Sequence, residues 1–404
     1  MFKKNMLAAA MALAIGAGAP VSSQALEASP GGVGDVLVAP LFVTAGQWET
    51  RLQVINTDSE RSVVAKVAFW KGDDTEEVRD FFVFLSPGDM WEGKITHNPD
   101  GGSILTSSDD SVLRAPKVFA DASNPFQVTL PADFGYVTIV MSKSFDLGPA
   151  VVGKQTILDV HPIDEGEGTV IGGLDTINSL TGVVIVENPA NGLQMSQQMT
   201  AFKDCMNSTP LSISRVTTLT GDCLGETGAI EAVLAKKHVG FPFQWGPGGL
   251  PATIGIFNFP TKNERVGSNT VHPEFLQAKG GADTVGVTYD MIIRDMEERI
   301  MTGLQPPPPE GPIVSPKPKE EPEPAKPEFA MVDETQILFL HDAIPNGVDD
   351  PAIAANFTKG WAEFVFRKDA NDGSYVGAPV IPSYIYWEAH GNKLRGYWEN
   401  AASW

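Results

Sequence analysis

This 404-residue chain contains six histidines, the residue type with the widest range of catalytic and metal-binding chemistry. Imidazole can act as a general base near neutral pH and can bind zinc through either ring nitrogen. No pair of them forms an HExxH motif, and no two have the spacing that places a metal-binding pair on one helix. We expect surface or turn positions for all six, which are His97, His161, His238, His272, His341 and His390.

Other catalytic motifs are equally hard to find in the sequence. There is no G-x-S-x-G elbow for a serine nucleophile, no P-loop and no dinucleotide fingerprint. Two carboxylates could hydrolyse a glycosidic bond, but with 50 Asp and Glu residues in the chain such a pair cannot be singled out. The sequence therefore predicts a non-catalytic protein, and we assign no catalytic, cofactor-binding or metal-binding residue.

Calcium is the one cofactor left open, because oxygen-rich loops are typical calcium ligands. The segment "KDANDGSY" places Asp369, Asn371 and Asp372 like the start of such a loop. The position at which an EF-hand has its bidentate Glu is occupied by Val380. An Asx/Gly turn between strands is the favoured interpretation, here and for "HNPDGGS" at 97–103.

The chain has two cysteines, Cys205 and Cys223. In an oxidising compartment a pair this close in sequence favours a disulfide, which would stabilise the fold by about 3 kcal/mol. A metal site is the alternative, but no histidine or further cysteine follows at a usable spacing. We therefore predict a Cys205–Cys223 disulfide.

Tryptophan could bind sugar rings if several indoles lined one open face. Most of the tryptophans lie in strand patterns, where packing in the core is the usual role. Trp245, in the Gly/Pro-rich "FPFQWGPGGLP", is the least obviously structural and is our candidate ligand contact. The eight are Trp48, Trp70, Trp91, Trp245, Trp361, Trp387, Trp398 and Trp404.

The N-terminal 25 residues are typical of a secretory signal peptide. Lys3 and Lys4 precede an apolar run from Met6 to Val21, and small residues follow it. An uncleaved membrane anchor is the alternative, but the run is short and contains Gly and Pro; no later stretch is long enough to span a bilayer. We expect the mature chain, from about residue 26, to be extracellular or on the cell surface, with the periplasm as an alternative.

Net charge narrows the choice of partners. The formal charge is −21, or −23 once Lys3 and Lys4 leave with the signal peptide, and no Lys/Arg cluster offsets it. An acidic surface repels nucleic-acid phosphates and anionic lipids, so we expect neither as a partner.

Alternating apolar and polar residues indicate an all-β fold over most of the mature chain. Residues 46–74, "GQWETRLQVINTDSERSVVAKVAFWKGDD", predict a β-hairpin with one solvated face, and "LSPGDMW" predicts a type II turn at Pro87-Gly88. Regular short strands with few helices favour an immunoglobulin-like or jelly-roll-type β-sandwich. A helix is predicted at 227–240, "TGAIEAVLAKKHVG", with Lys236, Lys237 and His238 at its C-terminus and Gly240 as its stop. A strand, rather than a second helix, is predicted from Val285 to about Arg294.

The segment 305–327, "QPPPPEGPIVSPKPKEEPEPAKP", predicts a solvated polyproline stretch. Residues 328–404 contain too few strands for a stable domain of their own, so we expect them to return to the first sheets. This gives one β-sandwich domain over 26–404 with a proline-rich loop. A two-residue hairpin is predicted around Gly391-Asn392.

Several phrases resemble a group of uncharacterised secreted bacterial proteins, often called simply cell-surface proteins. They are scattered over most of the mature chain: "DVLVAPLF", "VINTDSERSVVAKVAF", "LSPGDMWEGKI", "LPADFGYVTI", "FNFPTKNE", "VTYDM", "KGWAEFVF" and "GAPVIPSYIYW". The resemblance implies an all-β surface protein with no assigned activity, and it carries over no catalytic residue.

Three functional hypotheses follow from these features. The first is a non-catalytic exported structural or adhesion protein, with other surface proteins or copies of itself as partners. In that case the segment from Leu26 to Phe42 could add a strand to a neighbouring copy. The alternatives are a carbohydrate-binding module or sugar-active enzyme, and a calcium-stabilised adhesin.

Overall fold

The predicted all-β class is confirmed, since strands account for 67% and helices for 5% of the residues that the structure describes. The computed structural model describes residues 27–73, 76–115, 118–146, 154, 157, 177–205, 229–244, 253–262, 287–296, 329–331, 333–340, 359–366, 377–390 and 393–403. No helix in these segments is long and apolar enough to cross a membrane.

Among the described residues, fourteen strands precede the helix α1, which comprises Ala229–Leu234. They are β1 Glu27–Ala28, β2 Val36–Val43, β3 Glu49–Asn56, β4 Ser62–Lys71, β5 Glu77–Leu85, β6 Met90–His97, β7 Ser103–Ser107, β8 Leu113–Ala115, β9 Val118–Phe119, β10 Phe126–Leu130, β11 Phe134–Phe145, β12 Leu180–Asn188, β13 Leu193–Gln198 and β14 Thr200–Lys203. A 3-10 turn at Ala45–Gln47 separates β2 from β3.

In the described segments after α1 there are eleven strands. They are β15 Ala235–Lys236, β16 His238–Gln244, β17 Thr253–Asn258, β18 Val287–Asp295, β19 Phe329–Met331, β20 Thr335–Phe339, β21 Lys359–Phe366, β22 Ala378–Pro379, β23 Ile381–His390, β24 Lys393–Asn400 and β25 Ala402–Ser403.

The N-terminal strands form two six-stranded antiparallel sheets. Sheet I has the order β1-β14-β2-β11-β4-β5, and sheet II has the order β10-β7-β6-β3-β12-β13. Their facing side chains make the first core, which includes Leu37 and Val67 from sheet I and Leu52, Trp91 and Val184 from sheet II. The two sheets therefore pack as a sandwich.

Sheet I is buried on both faces. Its second face joins another cluster, in which Val38, Val64 and Tyr136 pack against Ile230 and Leu234 of α1. Strands buried on both sides need no alternation of polar residues. This explains the nearly continuous apolar runs of β2, β4 and β11.

The predicted hairpin at 46–74 is wrong, although both of its strands exist. β3 pairs with β6 and β12 in sheet II, while β4 pairs with β5 and β11 in sheet I. The intervening turn carries the chain from one sheet to the other, and buried Asn56 holds it by donating to the carbonyl of Arg61 at 2.8 Å. Of these two strands, β3 has the expected alternation of buried and half-buried residues, whereas β4 is almost entirely buried.

Two further sheets are built from strands on both sides of the proline-rich segment. Sheet III has the order β19-β18-β21-β16-β25, and sheet IV has the order β20-β17-β23-β24. β21, from the last 77 residues, lies between β16 and β18. The second core fills the space between sheets III and IV, with Phe241 and Phe364 from one sheet and Phe257 and Tyr384 from the other.

Sheet IV also has two buried faces. Phe257 and Tyr384 point into the second core, whereas their chain neighbours Ile256 and Ile385 belong to the first core. Alternate residues of a strand point to opposite faces, so β17 and β23 each contribute to both cores. Sheet IV thereby joins the N-terminal and C-terminal strands through apolar packing.

Polar contacts reinforce this junction at two places. The side-chain amide of Gln197 in β13 donates to that of Asn400 in β24. The backbone N–H of Thr335 donates to the carbonyl of Gly72 at 3.0 Å. Each contact joins a residue that precedes the proline-rich segment to one that follows it.

Several local predictions can be compared directly with the structure. The type II turn at Pro87-Gly88 is confirmed: Gly88 has φ +70°, and Asp89 N–H donates to the Ser86 carbonyl at 3.0 Å. The strand predicted to end near Arg294 is confirmed as β18, and the predicted C-terminal hairpin as β23–β24. Residues 391–392 of its turn lie outside the described residues.

The predicted helix at 227–240 is too long. α1 ends at Leu234, and Lys236 and His238, which we expected at a helix C-terminus, lie in β15 and β16. Pairing of β16 with β21 and β25 supplies hydrogen bonds and burial that the local helical pattern does not contain. Gly240, expected as a helix stop, is a central residue of β16.

Candidate functional site on sheet III

The outward face of sheet III carries a cluster of one imidazole, one guanidinium, one carboxylate and one indole. His238 lies on β16, Arg294 on β18, and Trp361 and Glu363 on β21. We call these four residues the Trp361 cluster. The intervening Ala362 points into the second core, so the alternation of β21 turns Trp361 and Glu363 outward.

Strand register brings the charged groups together. Glu363 pairs across the ladders with Gly240 and Ile292, which places its carboxylate diagonally between His238 and Arg294. One carboxylate oxygen of Glu363 is 2.8 Å from His238 Nδ1, and the other accepts from Arg294 Nη1 at 2.7 Å. The exposed fractions of the side chains are 24% for His238, 11% for Glu363 and 32% for Arg294.

Glycine at position 240 makes room for the indole. A Cβ at Gly240 would lie 2.5 Å from Cζ2 and 2.7 Å from Cε2 and Nε1 of Trp361. Real Cβ atoms do not approach so closely, so the half-buried indole occupies the space that any other residue would fill. Trp361 also lies opposite Pro242 and Arg294 in the ladders.

Electrostatics keep the central carboxylate charged. Burial alone would raise the pKa of Glu363, but the hydrogen bonds and positive charge of Arg294 and His238 outweigh it and lower this pKa below its ordinary value. The ionised Glu363 also fixes the orientation of the His238 ring, because its carboxylate lies 2.8 Å from Nδ1.

Replacing Glu363 with Gln is expected to lower the free energy of unfolding at about pH 7 by roughly 1.5–3 kcal/mol, since two charge-assisted bonds are lost. A carboxyl whose pKa is lowered by folding stabilises the protein above its unfolded pKa, near 4.5, and this stabilisation is lost as the pH falls through the folded pKa. The difference between native and variant should therefore shrink below that range. Urea unfolding at neutral and acidic pH measures it, and a difference independent of pH would contradict the assignment.

A second charged cluster surrounds Lys154. Its ammonium lies 2.7 Å from Asp89 Oδ2 and 2.5 Å from Asp110 Oδ1, and it donates to Ser111 Oγ at 2.8 Å. Burial alone would lower the pKa of Lys154, but the two carboxylates outweigh it and raise it. These contacts hold Lys154 against the chain segments that precede β6 and β8.

The sequence-predicted site residues do not belong to the Trp361 cluster, and most of them lie outside the described residues. Cys205 is buried in the apolar cluster between sheet I and α1, while Cys223 lies outside the described residues, so the disulfide stays a prediction. Trp245 and the calcium candidates at 369–372 also lie outside them. The segment 97–103 contains the expected Asx/Gly turn, in which Gly101 N–H donates to the Asn98 carbonyl at 2.9 Å.

Core roles are confirmed for the tryptophans at three positions, because Trp70, Trp91 and Trp398 are buried. Trp361 differs from these three in facing outward from its sheet. The signal for this was present in "KGWAEFVF", where Trp361 and Glu363 alternate with the apolar Ala362 and Phe364. Among the described residues, no group of three or more His, Cys, Asp or Glu side chains could hold a metal ion.

Comparisons with known proteins add no further assignment: no protein-family model, curated protein or solved structure matches the chain. The resemblance to secreted bacterial cell-surface proteins stays a prediction.

Proposed function

We propose that this protein is an exported, non-catalytic structural or adhesion component of the cell surface. The observation that carries the proposal is the construction of sheets III and IV from strands on both sides of the proline-rich segment, with sheet IV shared between two cores. Strands joined in this way resist separation of the N-terminal and C-terminal parts. A protein that bears load or contacts other cells needs such a body.

The use of charge supports the same proposal. Lys66 pairs with Asp80, Arg51 with Glu187, and both residues of each pair lie on neighbouring strands of one sheet. Such cross-strand pairs stabilise sheets. The sequence also begins with a signal-peptide pattern, and its acidity favours spacing between neighbouring molecules on a crowded surface.

Intact producing cells provide the test of location and role. We expect an antibody against the folded protein to label intact cells and an externally added protease to remove the signal, while a cytoplasmic marker stays protected. A deletion strain should lose adhesion to surfaces or to other cells, and the native gene should restore it. Retention of the protein inside the cytoplasm would refute the proposal, and unchanged adhesion of the deletion strain would refute the adhesion role.

A further inference from the structure

We propose that the Trp361 cluster is a binding site for a neutral saccharide. This inference rests on the proposed function in one respect: it gives the surface protein a ligand that a neighbouring cell or matrix would present. The site differs from the sequence-based candidate Trp245, and the residues that carry it are Trp361, Arg294 and Glu363.

The apolar part of the site is the indole and its surroundings. Trp361 is half-buried on the outward face, with exposed Pro242 opposite it and half-buried Ile292 on β18. Because Gly240 has no side chain, the Trp361 indole lies close to the backbone of β16. A flat aromatic ring surrounded by apolar groups suits the C–H face of a pyranose, which is apolar although its rim carries hydroxyls.

The polar part of the site is adjacent to this ring. A guanidinium has five N–H donors, and within the described residues Arg294 uses only its contact with Glu363. Trp361 Nε1–H likewise has no partner in the described part of the chain. Each oxygen of Glu363 accepts one bond and can accept another. Adjacent donors and acceptors suit the hydroxyl groups of a sugar, because each hydroxyl both donates and accepts hydrogen bonds.

The charge of the cluster favours a neutral ligand over an anionic one. Arg294 and His238 both lie within 2.8 Å of the single Glu363 carboxylate, and the Asp290 carboxylate lies on the same outward face of β18. The whole chain carries a formal charge of −21. The negative charge of the protein would therefore repel an acidic saccharide, whereas it does not oppose the approach of a neutral one.

The first experiment is to probe an array of neutral and acidic oligosaccharides with the fluorescently labelled full mature chain. The strongest neutral ligand is then titrated calorimetrically against the native protein. We expect Trp361→Ala to weaken binding by about tenfold or more, as removal of a central aromatic contact does, and Arg294→Ala to weaken it to a similar extent.

Two variants separate loss of the site from loss of the fold. Gly240→Ala keeps the indole but displaces it, so we expect binding weaker than native. Trp48→Ala removes a half-buried tryptophan that packs on the first core, away from sheet III, and should leave binding unchanged. Thermal unfolding of each variant checks that it is folded before titration.

Several outcomes would overturn the site. They are absence of binding to any neutral saccharide, binding that survives both Trp361→Ala and Arg294→Ala, and binding restricted to acidic saccharides. Surface labelling of cells with no saccharide binding overturns the site and leaves the proposed function intact. Saccharide binding by a protein that never reaches the cell surface would refute the proposed function and leave the site intact.

Discussion

Replacing Asp80 with Ala should lower the free energy of unfolding by about 3–5 kcal/mol, because it removes a carboxylate that forms an ion pair with a buried ammonium. Lys66 has an exposed side-chain fraction of 0%, Asp80 of 9%, and their Nζ and Oδ2 atoms are 2.5 Å apart. Both lie on central positions of β4 and β5, beneath the apolar cluster that covers sheet I. Urea unfolding of the native and variant chains at neutral pH measures the loss.

The control compares this pair with an exposed pair on the same hairpin. Lys71 and Glu76 are 2.6 Å apart, but the Glu76 side chain is 63% exposed. Glu76→Ala should therefore cost less than about 1 kcal/mol. The double variant Lys66→Met with Asp80→Leu should recover most of the loss, since neither charge remains buried. Equal losses for Asp80→Ala and Glu76→Ala would show that burial of Lys66 is not what makes the pair important.

Local chemistry accounts for the features that the sequence predicted well. Proline fixes φ and glycine accepts a positive φ, so Pro87-Gly88 specifies its turn without help from the rest of the chain. The alternation of β-branched residues before Arg294 specifies a strand in the same way.

Pairing partners could not be predicted, because they depend on residues far away in sequence. The polar turn between Asn56 and Ser62 fits a hairpin and a crossover between sheets equally well. The choice is made by β11 and β12, more than 65 residues further along, which pair with β4 and β3 respectively. The helix prediction beyond Leu234 failed for the same reason, since β22 pairs with β15, and β21 and β25 pair with β16.

The Trp361 cluster lay beyond prediction from sequence for a geometric reason. His238 and Glu363 are 125 residues apart, and Arg294 and Glu363 are 69 apart. A shift of one residue in the register of β21 would turn Glu363 and Trp361 into the core. The chemistry of the site therefore exists only once three strands have the right register, which no local pattern of residues contains.

The same long-range pairing predicts what happens when the chain is cut between residues 305 and 327. A protease recognition sequence inserted there and then cleaved should give two fragments that elute together in size-exclusion chromatography. The reason is that β21 lies between β16 and β18, and β23 pairs with β17, so separation would open the second core.

Dissociation in urea followed by a denaturing gel checks that cleavage is complete. Because two chains then unfold where one did before, the stability of the cut protein should depend on its concentration. A C-terminal fragment that elutes separately while the N-terminal fragment keeps its native stability would mean that the two parts fold independently. In that case the shared sheet IV could not be what holds the molecule together, and the structural role proposed for the protein would lose its physical basis.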